Sequence, residues 1–238
     1  MSARVWAVVL VKPFHLAKRR LMPVLQPAER TALAQAMFED VLDAVTASGP
    51  VLRGLVVVTR DEAAAALAQR SGAVVLQDDE GEGMNGALRR ATGYLTTASG
   101  DGMIVIPADL PHLRPQAVAT MVELLDRPRA VVVAESHDGG SNLLGCRPPA
   151  IITPAFGDDS CRQHCDAARR AGITPTLLAG FGLEHDIDCP EDLEPFLALG
   201  TPTRTHDYLT RIGVFGRVAP PVLRARAVLR HFPTAAVV

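Results

Sequence analysis

Aspartates in two distant segments have the residue type and the setting of metal ligands. Asp109 lies in the segment PADLP at 107–111, directly after the apolar run at 103–106, where a buried strand would end. A lone carboxylate at such a position is costly unless it is paired or binds a metal. An aspartate that only shapes the turn is the alternative. We favour metal binding by Asp109.

Asp186 and Asp188 stand two residues apart, shortly before Pro190. If this stretch is extended, both side chains point to one face, because side chains alternate along a strand with a period of two. Asp188 could instead cap a helix that begins at Pro190. Together with Asp109, the pair would form an oxygen-rich site of the kind that suits Mg²⁺.

Both lysines of the chain, Lys12 and Lys18, fall in the loop after the first apolar run, beside Arg19 and Arg20. Cations at a strand end could clamp a triphosphate, and an ammonium group acts there as a compact point charge. A solvated basic loop is the alternative. The loop lacks the Gly-x-x-x-x-Gly-Lys-Ser/Thr pattern, which argues against a P-loop mechanism.

Three further segments hold small or polar residues that could contact a ligand. Gly140 precedes Ser141, and a glycine lets the backbone approach an anion closely, although a hairpin turn also explains it. The loop that contains Gly157 enters a helix near Ser160, so its backbone N–H groups could hold a carboxylate or phosphate, or its residues could only cap that helix. Asn85 either caps its own helix or contacts a nucleotide.

The elements that must position these residues follow from the alternation of apolar runs with helix-period stretches. Strands are predicted at 5–11, 55–58, 73–76, 103–106 and 130–134, with a shorter one at 142–146, and helices at 28–47, 61–70, 85–96, 115–125, 160–171 and 190–199. This order predicts an α/β fold with a mostly parallel, twisted sheet and helices on both faces. Ligands of such sheets bind beyond the carboxyl ends of the strands, where the segments above lie.

The bulk composition bounds the class of protein. With 238 residues, 48% of them hydrophobic, the chain suits one soluble domain at 1–200. A net charge of −2 gives the chain no overall positive electrostatic field that would attract nucleic acid. No apolar run approaches the ~20 residues that a membrane helix needs. We expect a cytoplasmic protein with reduced cysteines. Residues 201–238, with six arginines and one acid, are expected to be an arginine-rich C-terminal extension that packs on the domain or a partner subunit, or is partly disordered.

Six segments, taken in order, resemble the guanylyltransferases of coenzyme F420 biosynthesis. They are AKRRL at 17–21 with Lys12 before it, MNGAL at 84–88, PADLP at 107–111, GGSN at 139–142, FGDDSCRQH at 156–164 and DIDCPEDL at 186–193. Enzymes of this family join GMP to a small phosphorylated acid such as 2-phospho-L-lactate, phosphoenolpyruvate or 3-phosphoglycerate. Ser141 stands where the family pattern has threonine and Cys161 where it has phenylalanine, which leaves the acceptor acid open.

The resemblance implies a Rossmann-like nucleotidyltransferase fold and an enzyme that transfers GMP from GTP and releases pyrophosphate. It implies Mg²⁺ held by Asp109, Asp186 and Asp188, and an acid pocket around Ser141, Gly157 and Ser160. The nucleotide would be contacted by Lys12, Lys18, Asn85, Pro107 and Asp109, with Lys12, Lys18, Arg20 and Asp109 as the catalytic set. His164 is either a structural hydrogen-bonding residue or a contact to the ligand.

No convincing Ser/His/Asp set is present, and this reaction needs none, because the acceptor phosphate is already an anionic nucleophile. Two alternatives stay open. One is another small-molecule nucleotidyltransferase of molybdopterin type, although the glycine-rich loop that those carry after the first strand is missing here. The other is a non-catalytic nucleotide-binding domain. The choice between a monomer and a homodimer also stays open.

Overall fold

The computed structural model describes residues 4–79, 83–181, 183 and 186–217. Within them one sheet has the strand order β3-β2-β1-β4-β6-β5-β7. Its strands are β1 (Val5–Val11), β2 (Gly54–Thr59), β3 (Val74–Gln77), β4 (Gly102–Pro107), β5 (Ala130–Glu135), β6 (Ser141–Arg147) and β7 (Thr176–Leu178). Of these strands only β6 is antiparallel to its neighbours, so the predicted mostly parallel sheet is confirmed.

Helices cover both faces of the sheet, as the alternation of elements predicts. They are α1 (Pro27–Ala47), α2 (Glu62–Arg70), α3 (Gly83–Thr97), α4 (Pro115–Leu124), α5 (Ser160–Arg170), α6 (Pro190–Ala198) and α7 (Arg204–Arg211). The core on one face includes residues of α1, α2, α4, α6 and α7, and the core on the other includes residues of α3 and α5. Three helices begin with a proline, whose missing N–H and fixed φ suit the first helical position.

The central strand β1 contributes to both cores. Val5, Ala7 and Val9 belong to the core that includes α1, whereas Trp6 and Val8 belong to the core that includes α3. All five are buried, because a strand in the middle of a doubly covered sheet has no solvent-facing side. This explains why the sequence of β1 is a continuous apolar run and does not alternate with polar residues.

The topology brings the candidate site segments to one edge of the sheet. Leu10 of β1 pairs in parallel with Pro107 of β4, so the loops after these strands leave side by side. Because β6 runs antiparallel to β4, its first residue, Ser141, starts at that same edge. The loops that carry Lys18 and Asp109 therefore meet the start of β6.

Among the α-helices and strands of the described residues, β7 and α7 are not predicted from the sequence. Strand β7 has three residues, too few to display a period of two. Helix α7 buries only Thr205 and Leu209, so its apolar stripe is too thin to stand out. The bounds of the other elements agree with the predicted ones to within two residues.

Helix α7 packs against α1 through charged and backbone groups. The carboxylate of Asp40 accepts the backbone N–H groups of Arg204 and Thr205, at 2.8 and 2.9 Å, at the N-terminus of α7. The Arg204 guanidinium also pairs with Asp43 at 2.8 Å. Since the first N–H groups of a helix have no partner within the helix, Asp40 acts as its cap from a distant helix.

The division of the chain into a domain at 1–200 and an extension at 201–238 stays a prediction. Residues 204–217 form α7 and a short 3₁₀ turn, and residues 218–238 lie outside the described residues. In the part of the chain that is described, no helix combines the length and the apolar character needed to cross a bilayer.

Replacing Asp40 with alanine should lower the free energy of unfolding by about 1–2 kcal/mol, because two backbone N–H groups lose their acceptor. Urea denaturation measures this change. Asp43→Ala is the matched control: its side chain is 64% exposed and only pairs with Arg204, so its expected cost is below about 0.5 kcal/mol. Equal costs for the two variants would show that α7 is not anchored through its N-terminus.

Candidate active site

Lys18 lies at the centre of the site, in the loop after β1. Its backbone is left-handed, with φ 53°, and it precedes a 3₁₀ turn at Arg19–Leu21. A non-glycine residue in this region is uncommon. The side chain is only 5% exposed, and Nζ donates to Asp109 at 2.6 Å and to Asp188 at 2.7 Å. The ammonium group thus joins the loop after β4 to the segment before α6.

The ammonium group of Lys18 attracts the carboxylates of Asp109 and Asp188 electrostatically. Burial by itself would lower the pKa of Lys18, but the two carboxylates outweigh that effect and raise it above its ordinary value. Burial would likewise raise the pKa of Asp188, and Lys18 outweighs it, so that this pKa is lowered. At neutral pH the cluster therefore holds a charged Lys18 ammonium beside an ionised Asp188 carboxylate.

Asp186 lies beside this cluster but contacts different groups. Asn142 of β6 donates to the Leu183 carbonyl oxygen at 2.7 Å and to Asp186 at 3.4 Å, which holds the segment before α6 against the sheet. Burial, together with the charges of Asp109 and Asp188, raises the pKa of Asp186. The three aspartates of the predicted magnesium site are therefore close enough to influence each other electrostatically.

The metal prediction itself stays a prediction. Among the described residues, no group of three His, Cys, Asp or Glu side chains is already placed to hold a metal ion. In this cluster, Nζ of Lys18 lies between Asp109 and Asp188. The donor chemistry is nevertheless suitable, because carboxylate oxygens are the ligands that Mg²⁺ prefers.

Asp192 has a larger role than the helix-terminus charge that its position in α6 suggests. Its carboxylate accepts the backbone N–H groups of Asp188 and Cys189, both at 2.7 Å. This contact caps α6 and fixes the backbone that carries Asp188. His137 lies 3.4 Å from Asp186 and 3.7 Å from Asp192, on the outer side of the same segment.

Two clefts open at this edge of the sheet and meet at Asp109 and Asp188. The first, hereafter the basic cleft, has a volume of about 310 Å³ and is lined by Lys12, Lys18, Arg19 and Arg20 among other residues. The second, hereafter the acidic cleft, has about 380 Å³ and is lined by Asp109, Asp138, Asp158, Asp159, Asp186 and Asp188 among others. Their shared wall consists of Leu10, Arg20, Met84, Pro107, Asp109 and Asp188. A ligand in one cleft would therefore reach a ligand in the other.

The far side of the acidic cleft is built from a tight turn before β6. Asp138 accepts hydrogen bonds from the Ser136 hydroxyl and, at 3.0 Å, from the backbone N–H of Gly140. A Cβ atom at Gly140 would lie 2.8 Å from Oγ of Ser136, so a side chain at this position would force the Ser136 hydroxyl to move. The turn leads into Ser141, which is one of the residues that line the cleft.

The second polar wall is the loop that enters α5. Gly157 has φ +134°, a conformation that side chains rarely adopt, and it lines the acidic cleft together with Ser160. Ser160 is buried, with its backbone N–H donating to Gly157. The three residues predicted for the acid pocket, Ser141, Gly157 and Ser160, are thus brought together in one cleft.

His164 connects these two walls beneath the surface. It is fully buried on α5, with Nδ1 2.9 Å from Oγ of Ser141 and Nε2 accepting the backbone N–H of Ala155 at 2.9 Å. Burial lowers the pKa of His164 to about 4, so the ring is neutral near pH 7. Of the two roles that the sequence allows for His164, a structural hydrogen-bonding residue or a ligand contact, the structure shows hydrogen bonds to Ser141 and to the backbone.

The remaining predicted residues are not all in the clefts. Lys12 and Arg20 are exposed and line the basic cleft, and Pro107 lies in the wall that the two clefts share. Asn85 is exposed on the first turn of α3 and lines neither cleft, whereas its neighbour Met84 lines both. A nucleotide contact by Asn85 therefore stays a prediction.

Three residues that shape the site, Asn142, Asp192 and Met84, are not among those predicted from the sequence. Asn142 and Asp192 were detectable as neighbours of named residues, since each lies in a segment that carries the family resemblance. What could not be read from the sequence was that their contacts are to the backbone of the segment 183–189.

Comparison with solved structures defines the fold. The fold is similar to a protein from Desulfovibrio desulfuricans classed as a nucleotide-diphospho-sugar transferase (TM-score 0.74, 15% identity, 91% of this chain and 97% of that one). It is also similar to a nucleotidyl transferase from Methanothermobacter (TM-score 0.58, 17% identity, 88% and 99%) and to the glucosyl-3-phosphoglycerate synthase of Mycobacterium tuberculosis, solved with Mg²⁺ and uridine diphosphate (TM-score 0.53, 16% identity, 74% and 68%). The chain has the fold of the nucleotide-dependent transferases.

Sequence comparison shows the family to which the chain belongs. The chain belongs to the guanylyl transferase CofC-like family, whose profile matches residues 5–226. It is 37% identical to a 3-phospho-D-glycerate guanylyltransferase of Phenylobacterium zucineum (78% of this chain, 86% of the relative) and 35% identical to a phosphoenolpyruvate guanylyltransferase of Rubrobacter xylanophilus (82% and 95%). It is 32% identical to a 2-phospho-L-lactate guanylyltransferase of Methanothermobacter thermautotrophicus (87% and 90%). The resemblance found in the sequence is confirmed.

Proposed function

We propose that this protein transfers GMP from GTP to a small phosphorylated acid and releases pyrophosphate, as a step in coenzyme F420 biosynthesis. The observation that carries the proposal is the shared wall of the two clefts, where Asp109 and Asp188 lie. A triphosphate on one side and an acid on the other would meet there. The guanylyltransferase activity for which its relatives are named supports the reaction class.

The basic cleft is the proposed site of the nucleotide phosphates. Lys12, Lys18 and Arg20 line it and can stabilise the charge that develops on the departing pyrophosphate. These cations share the loop after β1, and the Phe14 ring of that loop packs against Phe38 of α1. Asn85 and Pro107 complete the proposed nucleotide contacts.

The acidic cleft is the proposed site of the acceptor acid. Ser141 and Ser160 would supply hydroxyl groups, and Gly157 a backbone N–H, on the side away from the basic cleft. An acid bound there would direct its phosphate towards the shared wall. Holding both reactants in this geometry replaces an encounter in solution with an attack within one complex.

A divalent cation fits the electrostatics of this arrangement. Asp109 and Asp188 both contact the single positive charge of Lys18, and Asp186 adds a third carboxylate to the same cleft. An anionic acceptor therefore needs additional positive charge in this cleft in order to bind. We propose that Asp109, Asp186 and Asp188 hold Mg²⁺, which would neutralise phosphate oxygens of both substrates when bound.

The proposed reaction needs no general base from the protein. An oxygen of the acceptor phosphate forms a bond to the α-phosphorus of GTP, and the bond from that phosphorus to the bridging oxygen of the β-phosphate breaks. The electron pair of the broken bond leaves with pyrophosphate. The contribution of the chain is to align the two phosphates and to stabilise the leaving group through Lys12, Lys18 and Arg20.

The proposal is tested by incubating the purified protein with GTP, Mg²⁺ and each of the three acids, and identifying the products by mass spectrometry. We expect pyrophosphate and a diphosphate-linked GMP adduct of at least one acid. Parallel reactions with CTP separate this activity from that of a cytidylyl-transferring enzyme. Absence of product with every acid and both nucleotides would support a non-catalytic nucleotide-binding domain instead.

Chelation of divalent ions by EDTA should lower pyrophosphate release at least ~100-fold, since the carboxylates would then repel both anionic substrates. Addition of excess Mg²⁺ should restore the rate, whereas Na⁺ at the same ionic strength should not. Unchanged turnover in EDTA would contradict the proposed role of Asp109, Asp186 and Asp188.

A further inference from the structure

Ser141 and His164 form a buried pair at the floor of the acidic cleft. Oγ of Ser141 is 2.9 Å from Nδ1 of His164, and the backbone N–H of Ala155 donates to Nε2 of the same ring at 2.9 Å. His164 is fully buried and Ser141 is 8% exposed, facing the cleft. The hydrogen-bond directions within this chain of groups can be worked out from their chemistry.

A backbone N–H can only donate, so Nε2 of His164 must present a lone pair to Ala155. The imidazolium form is excluded, because both of its nitrogens would carry a proton. The neutral ring must therefore have its proton on Nδ1, which makes Nδ1 the donor to Oγ of Ser141. Burial, which lowers the pKa of His164 to about 4, agrees with a neutral ring.

The tautomer of His164 determines the hydrogen-bonding role of the Ser141 hydroxyl. Its Oγ atom accepts the hydrogen bond from His164, so its own hydroxyl hydrogen is left to donate to another group. Within the described residues, no second hydrogen bond involves this hydroxyl, and Ser141 is one of the residues that line the acidic cleft. A hydroxyl that donates recognises an anionic oxygen, whereas one that accepts would recognise an N–H group.

We propose that His164 is a positioning residue of the acceptor site, which holds the Ser141 hydroxyl as a donor to an anionic oxygen of the acceptor acid. This inference rests on the proposed function for the identity of the ligand, but the tautomer of His164 does not depend on it. Because the contact is present before and during the reaction, it contributes to the KM of the acceptor and leaves kcat unchanged.

The two nitrogens of His164 can be replaced separately. In His164→Asn, the amide NH₂ lies near the position of Nδ1 and can still donate to Ser141, while Ala155 loses its acceptor. In His164→Gln, the amide oxygen can reach the position of Nε2 and accept from Ala155, while Ser141 loses its donor. The variants thus separate an effect on Ser141 from a general effect of disturbing the core.

We expect His164→Gln to raise the KM for the acceptor about tenfold and His164→Asn to raise it less than about threefold, with the KM for GTP unchanged in both. Ser141→Ala should raise the acceptor KM by a similar factor of about ten, and adding His164→Gln to it should have no further effect. Equal effects of the Asn and Gln variants, or multiplicative effects in the double variant, would overturn the positioning role. Thermal unfolding of each variant reports any loss of structure.

The tautomer is measured directly, and without substrate, by long-range ¹H–¹⁵N correlation spectroscopy on protein labelled with ¹⁵N-histidine. His164→Gln identifies the signal by its loss from the spectrum of the seven histidines. We expect a neutral ring with its proton on Nδ1 between pH 6 and 8. A ring protonated on Nε2 overturns the inference whatever the activity, whereas an inactive protein with the expected tautomer would contradict only the proposed function.

Discussion

Replacing Asp109 with asparagine should lower kcat for guanylyl transfer at least ~100-fold while the protein stays folded. Asparagine has the same shape, and its amide oxygen can still accept from Lys18, so the contact at 2.6 Å can persist. What is lost is a negative charge at the wall between the two clefts, where the proposed metal ion and both phosphates meet. Steady-state pyrophosphate release measures the rate.

Asp126→Asn is the matched control for this change. Its side chain is 71% exposed, its carboxylate lies 3.8 Å from Arg147, and it lines neither cleft. We expect its kcat to stay within about twofold of the wild type. Thermal unfolding should place both variants within about 1 kcal/mol of the wild type. Near-normal transfer by Asp109→Asn would exclude this residue from the metal site and remove the main support for the proposed mechanism.

The positions of the site segments were predictable because topology leaves little choice. Once β1 and β4 are recognised as buried parallel strands, the residues after them must leave at one edge of the sheet, and Lys18 and Asp109 are such residues. Asp188 joins them for a less direct reason, since it precedes a helix rather than following a strand. Its place in the site was expected from the family resemblance and from its carboxylate chemistry.

The contacts inside the site were not predictable in the same way. From the sequence, the first loop was a phosphate clamp and the aspartates were a metal site, two separate clusters. The structure joins them through Nζ of Lys18, which contacts two carboxylates that are distant in the chain. The position of this side chain depends on the left-handed backbone of Lys18 itself. The donor and acceptor roles of His164 are likewise set by the backbone of Ala155, which residue types alone do not reveal.

Lys18→Met should have the second large effect, lowering kcat for transfer at least ~100-fold, because methionine keeps much of the buried volume but removes the ammonium from the shared wall. The same substitution at the other lysine of the chain is the matched comparison. Lys12 is exposed and lines only the basic cleft, so Lys12→Met should act mainly on GTP binding, with a rise of about tenfold in its KM. Equal losses of kcat would show that Lys18 contributes no more than general positive charge.

The stability of Lys18→Met gives a test that does not depend on activity. In the wild type, the pKa of Asp188 is lower in the folded state than in the unfolded state, where it is near 4. Ionised Asp188 therefore stabilises the fold above about pH 4, and this contribution is lost as the pH falls through its folded-state pKa. Without Lys18, the carboxylates of Asp109 and Asp188 repel each other and the pKa of Asp188 is no longer lowered, so the variant falls further below the wild type in stability as the pH rises above about 4. Because Asp109 and Asp188 are 31% and 42% exposed, solvent screens the repulsion, and we expect a deficit of about 1–2 kcal/mol at pH 7. Urea denaturation should show this deficit shrinking towards pH 4; a deficit that is constant with pH would mean that Lys18 stabilises the fold through packing alone.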